Sequence, residues 1–305
     1  MNAPPLYIAT PLIRSTPLSQ SGQNVWLKME ALQPSGSFKL RGISHLCQSR
    51  AAAGARRFVS SSGGNAGLAV AYSGRCLGLP VTVYVPGNAP KLIAKKLEQE
   101  GARVVIAGSV WDEAHAAAMK ATGDDGTVYV HPFDDPLIWQ GHASMIDEVK
   151  FAGLEPDAVV LSVGGGGLMC GVLSGLHRNG WDKVPIIAVE TDGAQSLNAA
   201  IAADRVVRLE KITSVAHSLG SLQVAAEAFA WTKRHDVRSL VVTDASALEA
   251  CTRFADDHRV LIEPASGAAL APAYERADAL KNFKCVLVIV CGGAAVTHES
   301  FRLSR

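Results

Sequence analysis

The stretch that decides the fold runs from Ala158 to His177 and reads AVVLSVGGGGLMCGVLSGLH. Its first six residues are small or apolar, which predicts a strand buried on both faces of a parallel sheet. Four consecutive glycines, Gly164 to Gly167, then lead into a helical run from Leu168. Such a turn lets backbone N–H groups and a helix N-terminus converge on an anion, although tight packing alone also uses glycine turns.

The same alternation continues along the chain, where short β-branched runs are followed by longer alanine-rich stretches of helical period. This pattern predicts an α/β protein with open, twisted, mostly parallel sheets flanked by helices. The predicted strands are Val25–Glu30, Arg57–Ser61, Val81–Val85, Arg103–Ile106, Thr127–Val130, Ala158–Val163, Pro185–Val189, Ser239–Val242 and Cys285–Val290.

Composition excludes several classes of protein. The 305 residues carry a net charge of +1, so a nucleic-acid partner is not expected. Six cysteines without a Cys-x-x-Cys pair indicate reduced thiols in a cytoplasmic protein. The longest apolar run, Cys285 to Val296, is too short for a membrane span, and Met1 to Thr16 does not resemble a signal peptide.

Lys39 lies in the turn PSGSFKLRG, residues 34–42. A lysine near a helix start is usually a solvated surface charge. The small, partly apolar residues around this one predict a desolvated ammonium group with a lowered pKa, and therefore a nucleophilic amine near neutral pH.

Two further strand ends carry polar groups. Ser62-Gly63-Gly64-Asn65 follows the strand that begins at Arg57 and forms a second candidate anion site, suited to a substrate carboxylate. Ser62 or Asn65 as an ordinary helix cap is the alternative. Cys291 ends the last predicted strand, where ligands of open α/β sheets lie, although a buried cysteine is most often only a small apolar residue.

The sequence lacks the motifs of other catalytic classes. It has no dinucleotide fingerprint, P-loop, HExxH zinc motif or Gly-x-Ser-x-Gly elbow. The sequence therefore disfavours four classes of enzyme: dehydrogenases, nucleoside triphosphatases, zinc enzymes and serine hydrolases.

With these residues assembled, the chain resembles the fold-type II pyridoxal-phosphate enzymes with the tryptophan synthase β-like fold. Within them it is similar to the short L-serine dehydratases and L-threonine deaminases, and to their serine-dehydratase-like branch. The likeness covers nearly the whole chain in the family's order of motifs: residues 27–30, 33–39, 61–67, 132–144, 163–168, 212–216, 263–269 and 288–293.

The resemblance implies a role for each candidate cofactor residue. Lys39 would hold pyridoxal 5'-phosphate as a Schiff base and act as the catalytic base, Phe38 would stack on the ring, and Asn65 would bond the ring hydroxyl. Cys291 would face the pyridine nitrogen. The phosphate would bind the turn formed by Gly164, Gly165, Gly166, Gly167 and Leu168.

The resemblance further implies the substrate and cation sites. Ser62, Gly63, Gly64 and Asn65 would bind the carboxylate of a small amino acid. A potassium ion would take carbonyl groups around Gly164, Ala194, Leu219 and Ser221 with the carboxylate of Glu190, which could equally be a structural acid. An all-oxygen set with one carboxylate suits a hard, weakly charged cation.

The implied reaction is β-elimination, which converts L-serine to pyruvate and ammonia and L-threonine to 2-oxobutanoate and ammonia. A thiol partner would leave the ring nitrogen of the cofactor largely unprotonated. The cofactor would then be a milder electron sink, and this favours prompt elimination over a long-lived carbanion. Gly63 departs from the Ser or Ala of many active members, so we expect slower turnover. Since the sequence ends at Arg305, we expect neither the regulatory domain of biosynthetic threonine deaminases nor control by isoleucine.

Alternatives remain within and outside this class. Serine racemase, cysteine synthase and threonine synthase share the scaffold and the lysine, and a weakly active cofactor binder would keep the fold without the turnover. For the architecture we expect a large cofactor-binding domain from residues 1–35 plus 133–305, a small domain from residues 36–132, and a homodimer.

Overall fold

The computed structural model describes residues 4–87, 89, 91–123 and 126–297, which form two sheets. Six strands form the large sheet, in the order β1-β2-β10-β7-β8-β9. Only β1 is antiparallel to its neighbour. These strands are β1 (Leu12–Gln20), β2 (Gln23–Lys28), β7 (Ala158–Ser162), β8 (Ile186–Thr191), β9 (Val237–Val242) and β10 (Cys285–Ile289).

The middle of the chain forms the small sheet, in which all four strands are parallel and follow the order β5-β4-β3-β6. Its strands are β3 (Arg57–Ser60), β4 (Val81–Val85), β5 (Arg103–Ile106) and β6 (Thr127–Tyr129).

Helices connect the parallel strands, as right-handed crossovers require. They are α1 (Lys39–Ala52), α2 (Asn65–Leu77), α3 (Lys91–Gln99), α4 (Trp111–Lys120), α5 (Pro136–Phe151), α6 (Gly167–Arg178), α7 (Ser196–Ala202), α8 (Ala226–Arg234), α9 (Asp244–His258) and α10 (Pro264–Tyr274). No helix within the described ranges is both long and apolar enough to cross a membrane.

The predicted α/β class is confirmed, and each predicted strand exists with its ends within two residues of the prediction. The strand that sequence patterns missed is β1, which contains Pro17. It lies at the sheet edge and is largely exposed, and a register shift follows Ser15. An edge strand tolerates proline and needs no continuous apolar run, so its sequence carried no strand signal.

The large sheet is buried on both faces at its centre, where every residue of β7 and β8 is buried. Val159 pairs with Ile186, and Val286 of β10 pairs with Ala158. Because burial on both faces removes any polar alternation, these strands appeared in the sequence as unbroken apolar runs.

The carboxyl end of the large sheet is joined to the start of α1. Ser37 forms an isolated antiparallel bridge with Gly292, and the Gly293 N–H donates to the carbonyl oxygen of Gly36 at 3.0 Å. The Phe38 N–H donates to the Cys291 carbonyl oxygen at 2.9 Å. These bonds hold the turn before Lys39 against the end of β10.

Candidate active site

A cavity lies where the carboxyl ends of β7 and β10 meet the starts of α1 and α2. Its lining consists of Phe38, Lys39, Asn65, Ser162, Gly164, Gly165, Gly166, Gly167, Leu168, Ser218, Leu219, Glu263, Ala265 and Cys291. All of the predicted cofactor residues therefore line one cavity.

Lys39 is the first residue of α1, and its side chain points into this cavity rather than into bulk solvent. The ammonium nitrogen donates to the Pro132 carbonyl oxygen at 2.8 Å and lies 5.0 Å from the centre of the Phe38 ring. Burial lowers the pKa of Lys39 to about 8, although Cys291 and Glu263 oppose the shift. A substantial fraction of this amine is therefore neutral slightly above pH 7.

The glycine turn presents unpaired donors to the cavity. Within the described residues, no backbone or side-chain group accepts from the N–H groups of Gly164, Gly165 or Gly166. Gly167 begins α6, so the N–H groups of its first turn also lack helical partners. These N–H groups and the positive end of the helix dipole favour an anion at this end of the cavity.

Packing also requires the glycines. A Cβ atom at Gly165 would lie 2.5 Å from the Phe133 ring, and one at Gly166 would lie 2.4 Å from the Ala228 Cβ. Gly166 has a φ of +89°, a conformation that other residues rarely adopt. The packing interpretation of the sequence motif therefore holds, and the same close packing places the unpaired N–H groups at the cavity, while anion binding there stays a prediction.

Cys291 lies at the end of β10 and is buried. Its Sγ lies 3.2 Å from Ser266 Oγ and 3.5 Å from Ser162 Oγ. Burial, reinforced by the charge of Glu263, raises the pKa of the thiol to about 11. The group is therefore a neutral thiol at physiological pH.

Asn65, the first residue of α2, is the member of the polar loop that lines the cavity, while Ser62, Gly63 and Gly64 are not among the lining residues. Helix α2 receives no side-chain cap. The alternative of an ordinary cap from Ser62 or Asn65 is therefore wrong, and the N-terminal N–H groups of α2 keep their capacity to bind an anion.

The structure brings part of the predicted cation set together. A Cβ at Gly164 would lie 3.2 Å from the Leu219 carbonyl oxygen, so these two carbonyl-bearing segments are in contact. The Leu219 carbonyl already accepts from the Ser221 N–H at 2.7 Å. Ala194 follows β8 in a turn, where its N–H donates to Thr191.

Glu190 is fully buried and its two carboxylate oxygens accept from the N–H groups of Leu197 and Asn198 at 2.8 and 2.7 Å. Burial nevertheless raises its pKa to about 7. The carboxylate thus caps α7, and its cation-binding role stays a prediction.

Four residues that carried no predicted role also line the cavity, namely Ser162, Ser218, Glu263 and Ala265. Glu263 accepts hydrogen bonds from Asn65 and from Ser218. The sequence signal for Glu263 was its place in the EPASGAA motif, residues 263–269, directly before α10. Ser218 lies in a short 3-10 turn that no periodic pattern could mark.

Pyridoxal phosphate fits this set of groups. The unpaired N–H groups suit its phosphate, the Lys39 amine suits its aldehyde, and the neutral Cys291 thiol suits an unprotonated ring nitrogen. The buried Oδ1 atom of Asn65 has no partner within the described residues, as expected of a side chain that completes its bonds with a ligand.

Comparison with known proteins extends these observations. The family model described as pyridoxal-phosphate dependent enzyme matches residues 4–292. The chain is 49% identical to "serine dehydratase-like" of Mus musculus, and the alignment covers 99% of this chain and 95% of the relative. It is 47% identical to the "L-serine dehydratase/L-threonine deaminase" of Homo sapiens, with the same two coverages.

Among solved structures, the chain is similar to a fungal L-serine ammonia-lyase from Rhizomucor miehei. The TM-score is 0.93 at 35% sequence identity, and the match covers 98% of each chain. A threonine deaminase from Solanum lycopersicum matches with a TM-score of 0.89 at 26% identity, covering 98% of this chain and 88% of that one.

Proposed function

Because the chain belongs to the pyridoxal-phosphate-dependent enzyme family, we propose that it is an ammonia-lyase that converts L-serine to pyruvate and ammonia. L-Threonine gives 2-oxobutanoate and ammonia by the same route. The observation that carries the proposal is the single cavity in which the buried amine of Lys39 faces the unpaired N–H groups of the glycine turn. Relatives named for this activity match over nearly their whole length.

Bound pyridoxal phosphate supplies the electron sink that makes loss of the substrate α-proton possible. The chain's residues hold and orient it. Gly164 to Leu168 would hold the phosphate, Phe38 would pack on the ring, Asn65 would bond the ring hydroxyl, and Cys291 would face the pyridine nitrogen. The raised pKa of the Cys291 thiol keeps that partner neutral.

Lys39 would hold the cofactor through its side-chain amine, and the same amine would act as the base that takes the substrate α-proton. Its lowered pKa suits that task because a general base works best when its pKa lies near the working pH. The hydrogen bond from its nitrogen to the Pro132 carbonyl fixes the direction of the side chain.

The substrate carboxylate binds at the start of α2, where Ser62, Gly63, Gly64 and Asn65 provide N–H and side-chain donors. Helix α2 has no side-chain cap, and no described residue accepts from the N–H groups of Gly63, Gly64 or Asn65, so these are available to the substrate, whereas the Ser62 N–H donates to Ser60 Oγ at 3.3 Å.

The finer assignments also belong to this proposal. A potassium ion bound by Gly164, Glu190, Ala194, Leu219 and Ser221 would support the phosphate turn. The chain would form a cytoplasmic homodimer. The large domain would comprise residues 1–35 and 133–305, and the small domain residues 36–132, which agrees with the segments that form each sheet.

Two measurements test the function. Borohydride reduction of the holoenzyme followed by peptide mapping is expected to place a pyridoxyl group on Lys39. A coupled keto-acid assay is expected to show pyruvate from L-serine and 2-oxobutanoate from L-threonine, with faster turnover in potassium than in sodium buffer.

Other outcomes select the alternatives. D-Serine without keto acid would identify a racemase, and product from O-acetylserine or O-phosphohomoserine would identify a synthase. Visible absorption of the bound cofactor without any product would identify a cofactor binder.

A further inference from the structure

Glu263 carries a buried carboxyl group that lines the cavity. This group hydrogen-bonds an element beside the large sheet to one beside the small sheet. Glu263 immediately precedes α10, beside the large sheet, and its side chain is almost wholly inaccessible to solvent. Its Oε1 accepts from Asn65 Nδ2 at 2.7 Å and from Ser218 Oγ at 2.9 Å. Asn65 begins α2, which follows the first strand of the small sheet, so this bond crosses the cavity.

The backbone holds the Glu263 side chain in one place. The Glu263 N–H donates to the Gly292 carbonyl oxygen at 3.1 Å. A Cβ at Gly292 would lie 3.1 Å from Glu263 Oε1 and 3.4 Å from Asn65 Nδ2. The hydrogen-bonded pair is therefore packed against a glycine that leaves it just enough room.

Two acceptor atoms of this pair remain free. No described residue donates to Glu263 Oε2, and the buried Asn65 Oδ1 has no partner. A carboxylate accepts hydrogen bonds and cannot donate them, so Glu263 selects the NH₂ end of the Asn65 amide. The amide then has a single orientation toward the cavity.

We propose that Glu263 is a positioning residue that fixes the rotation of the Asn65 side-chain amide toward the cofactor and links α2 to α10 across the cavity. Glu263 acts through Asn65. Its role requires a hydrogen-bond acceptor within reach of Asn65 Nδ2, and only a side chain as long as glutamate places one there. The inference rests on the proposed function, because it assumes that pyridoxal phosphate occupies the cavity.

The test is the dissociation constant of pyridoxal phosphate, measured by absorbance titration of the full chain stripped of cofactor. Glu263→Leu removes the acceptor and Glu263→Asp withdraws it by one methylene. Each is expected to weaken binding about ten- to hundredfold, the range for one hydrogen bond to a charged group. Glu263→Gln keeps an acceptor oxygen in place and is expected to stay within about threefold of the parent.

A double-mutant cycle separates positioning from general damage. In an Asn65→Ala background, Glu263→Asp and Glu263→Leu are expected to change the dissociation constant by less than about twofold, because the residue through which Glu263 acts is gone. Ile93→Val, a buried change in α3 away from the cavity, is the control. It is expected to lower thermal stability without changing cofactor affinity, because Ile93 is buried but does not line the cavity.

Each outcome of the cycle supports or contradicts the positioning role of Glu263. Equal losses in the parent and Asn65→Ala backgrounds would overturn the inference, as would parental affinity in Glu263→Asp. If Glu263→Leu does not fold, Glu263→Asp carries the cycle alone. A parent chain that binds no pyridoxal phosphate would refute the proposed function, whereas normal binding with an additive cycle would refute only the positioning role.

Discussion

At the scale of single residues, the cavity contains the buried amine of Lys39, which forms no salt bridge with any described residue. Lys39 donates to a backbone carbonyl rather than to a carboxylate, and burial brings its pKa down to about 8. A lysine with a salt-bridge partner would stay charged and could not attack an aldehyde.

The pKa of Lys39 predicts how the stripped protein recaptures its cofactor. Only the neutral amine reacts, and the ammonium loses its proton as the pH rises through about 8. The capture rate, followed by visible absorbance, is expected to rise about tenfold per pH unit below that value and to level off above it. Lys39→Ala is the control and should capture nothing covalently. A rate that does not change between pH 6 and 9 would contradict the shift.

Gly63 offers a second prediction at this scale. Its backbone does not require glycine, and an added Cβ would lie 3.2 Å from Val85 Cγ1, so the neighbour must move only slightly. Gly63→Ala removes backbone freedom from the loop, an effect of about 0.4–1 kcal/mol. We expect turnover of serine to rise about two- to fivefold. Steady-state assays of both proteins check this, and a variant no faster than the parent would count against it.

At the scale of elements, α1 is held against the large sheet by buried charges directly after Lys39. The Arg41 guanidinium bonds Glu30 at 2.7 and 2.8 Å and Glu148 at 2.6 and 2.7 Å, and Lys28 bonds Glu148 at 2.5 Å. Arg41, Glu30 and Lys28 are fully buried. Because α1 begins at Lys39, this network also fixes where the amine enters the cavity.

Arg41→Met is expected to lower the free energy of unfolding by about 3–5 kcal/mol, because it leaves Glu30 buried without its main cation. Urea unfolding measures the loss. Arg50→Met on the same helix removes only a half-exposed pair with Asp135 at 4.0 Å, and it should cost about 0–1 kcal/mol. Similar losses in the two variants would contradict this account of α1.

The same network predicts a pH dependence. Burial raises the pKa of Glu30, but Arg41, Thr10 and Lys28 together outweigh burial, and the net pKa lies below its usual value. The stabilisation is therefore present at neutral pH and is lost as the pH falls below about 4.5. The difference in unfolding free energy between the parent and Arg41→Met should narrow in acid.

At the scale of the whole molecule, the cavity is shared by the two sheets, so cofactor binding should stabilise both together. Pyridoxal phosphate at about 100 times its dissociation constant is expected to add about 2.7 kcal/mol to the free energy of unfolding. Amide hydrogen exchange should slow on both sides, in residues 61–65 and in residues 291–293. Protection confined to one side would show that the cavity is not shared.

The sequence by itself determined the fold class and the parallel strands of both sheets, and it predicted most of the residues that line the cavity. Apolar runs such as Ala158–Val163 can be buried only between two helical layers, and four adjacent glycines permit a backbone path that other residues would block. Lys39 and Cys291 were identifiable because each lies in a local motif at the end of an element.

Only the tertiary structure decided which polar groups meet. The bond between Asn65 and Glu263 joins residues 198 positions apart, and the depressed pKa of Lys39 depends on surroundings drawn from both sheets. Strand β1 escaped prediction because an exposed edge strand lacks the apolar pattern of its buried neighbours. Local sequence sets backbone preference and periodic burial, whereas hydrogen-bond partners and desolvation arise from distances that exist only after folding.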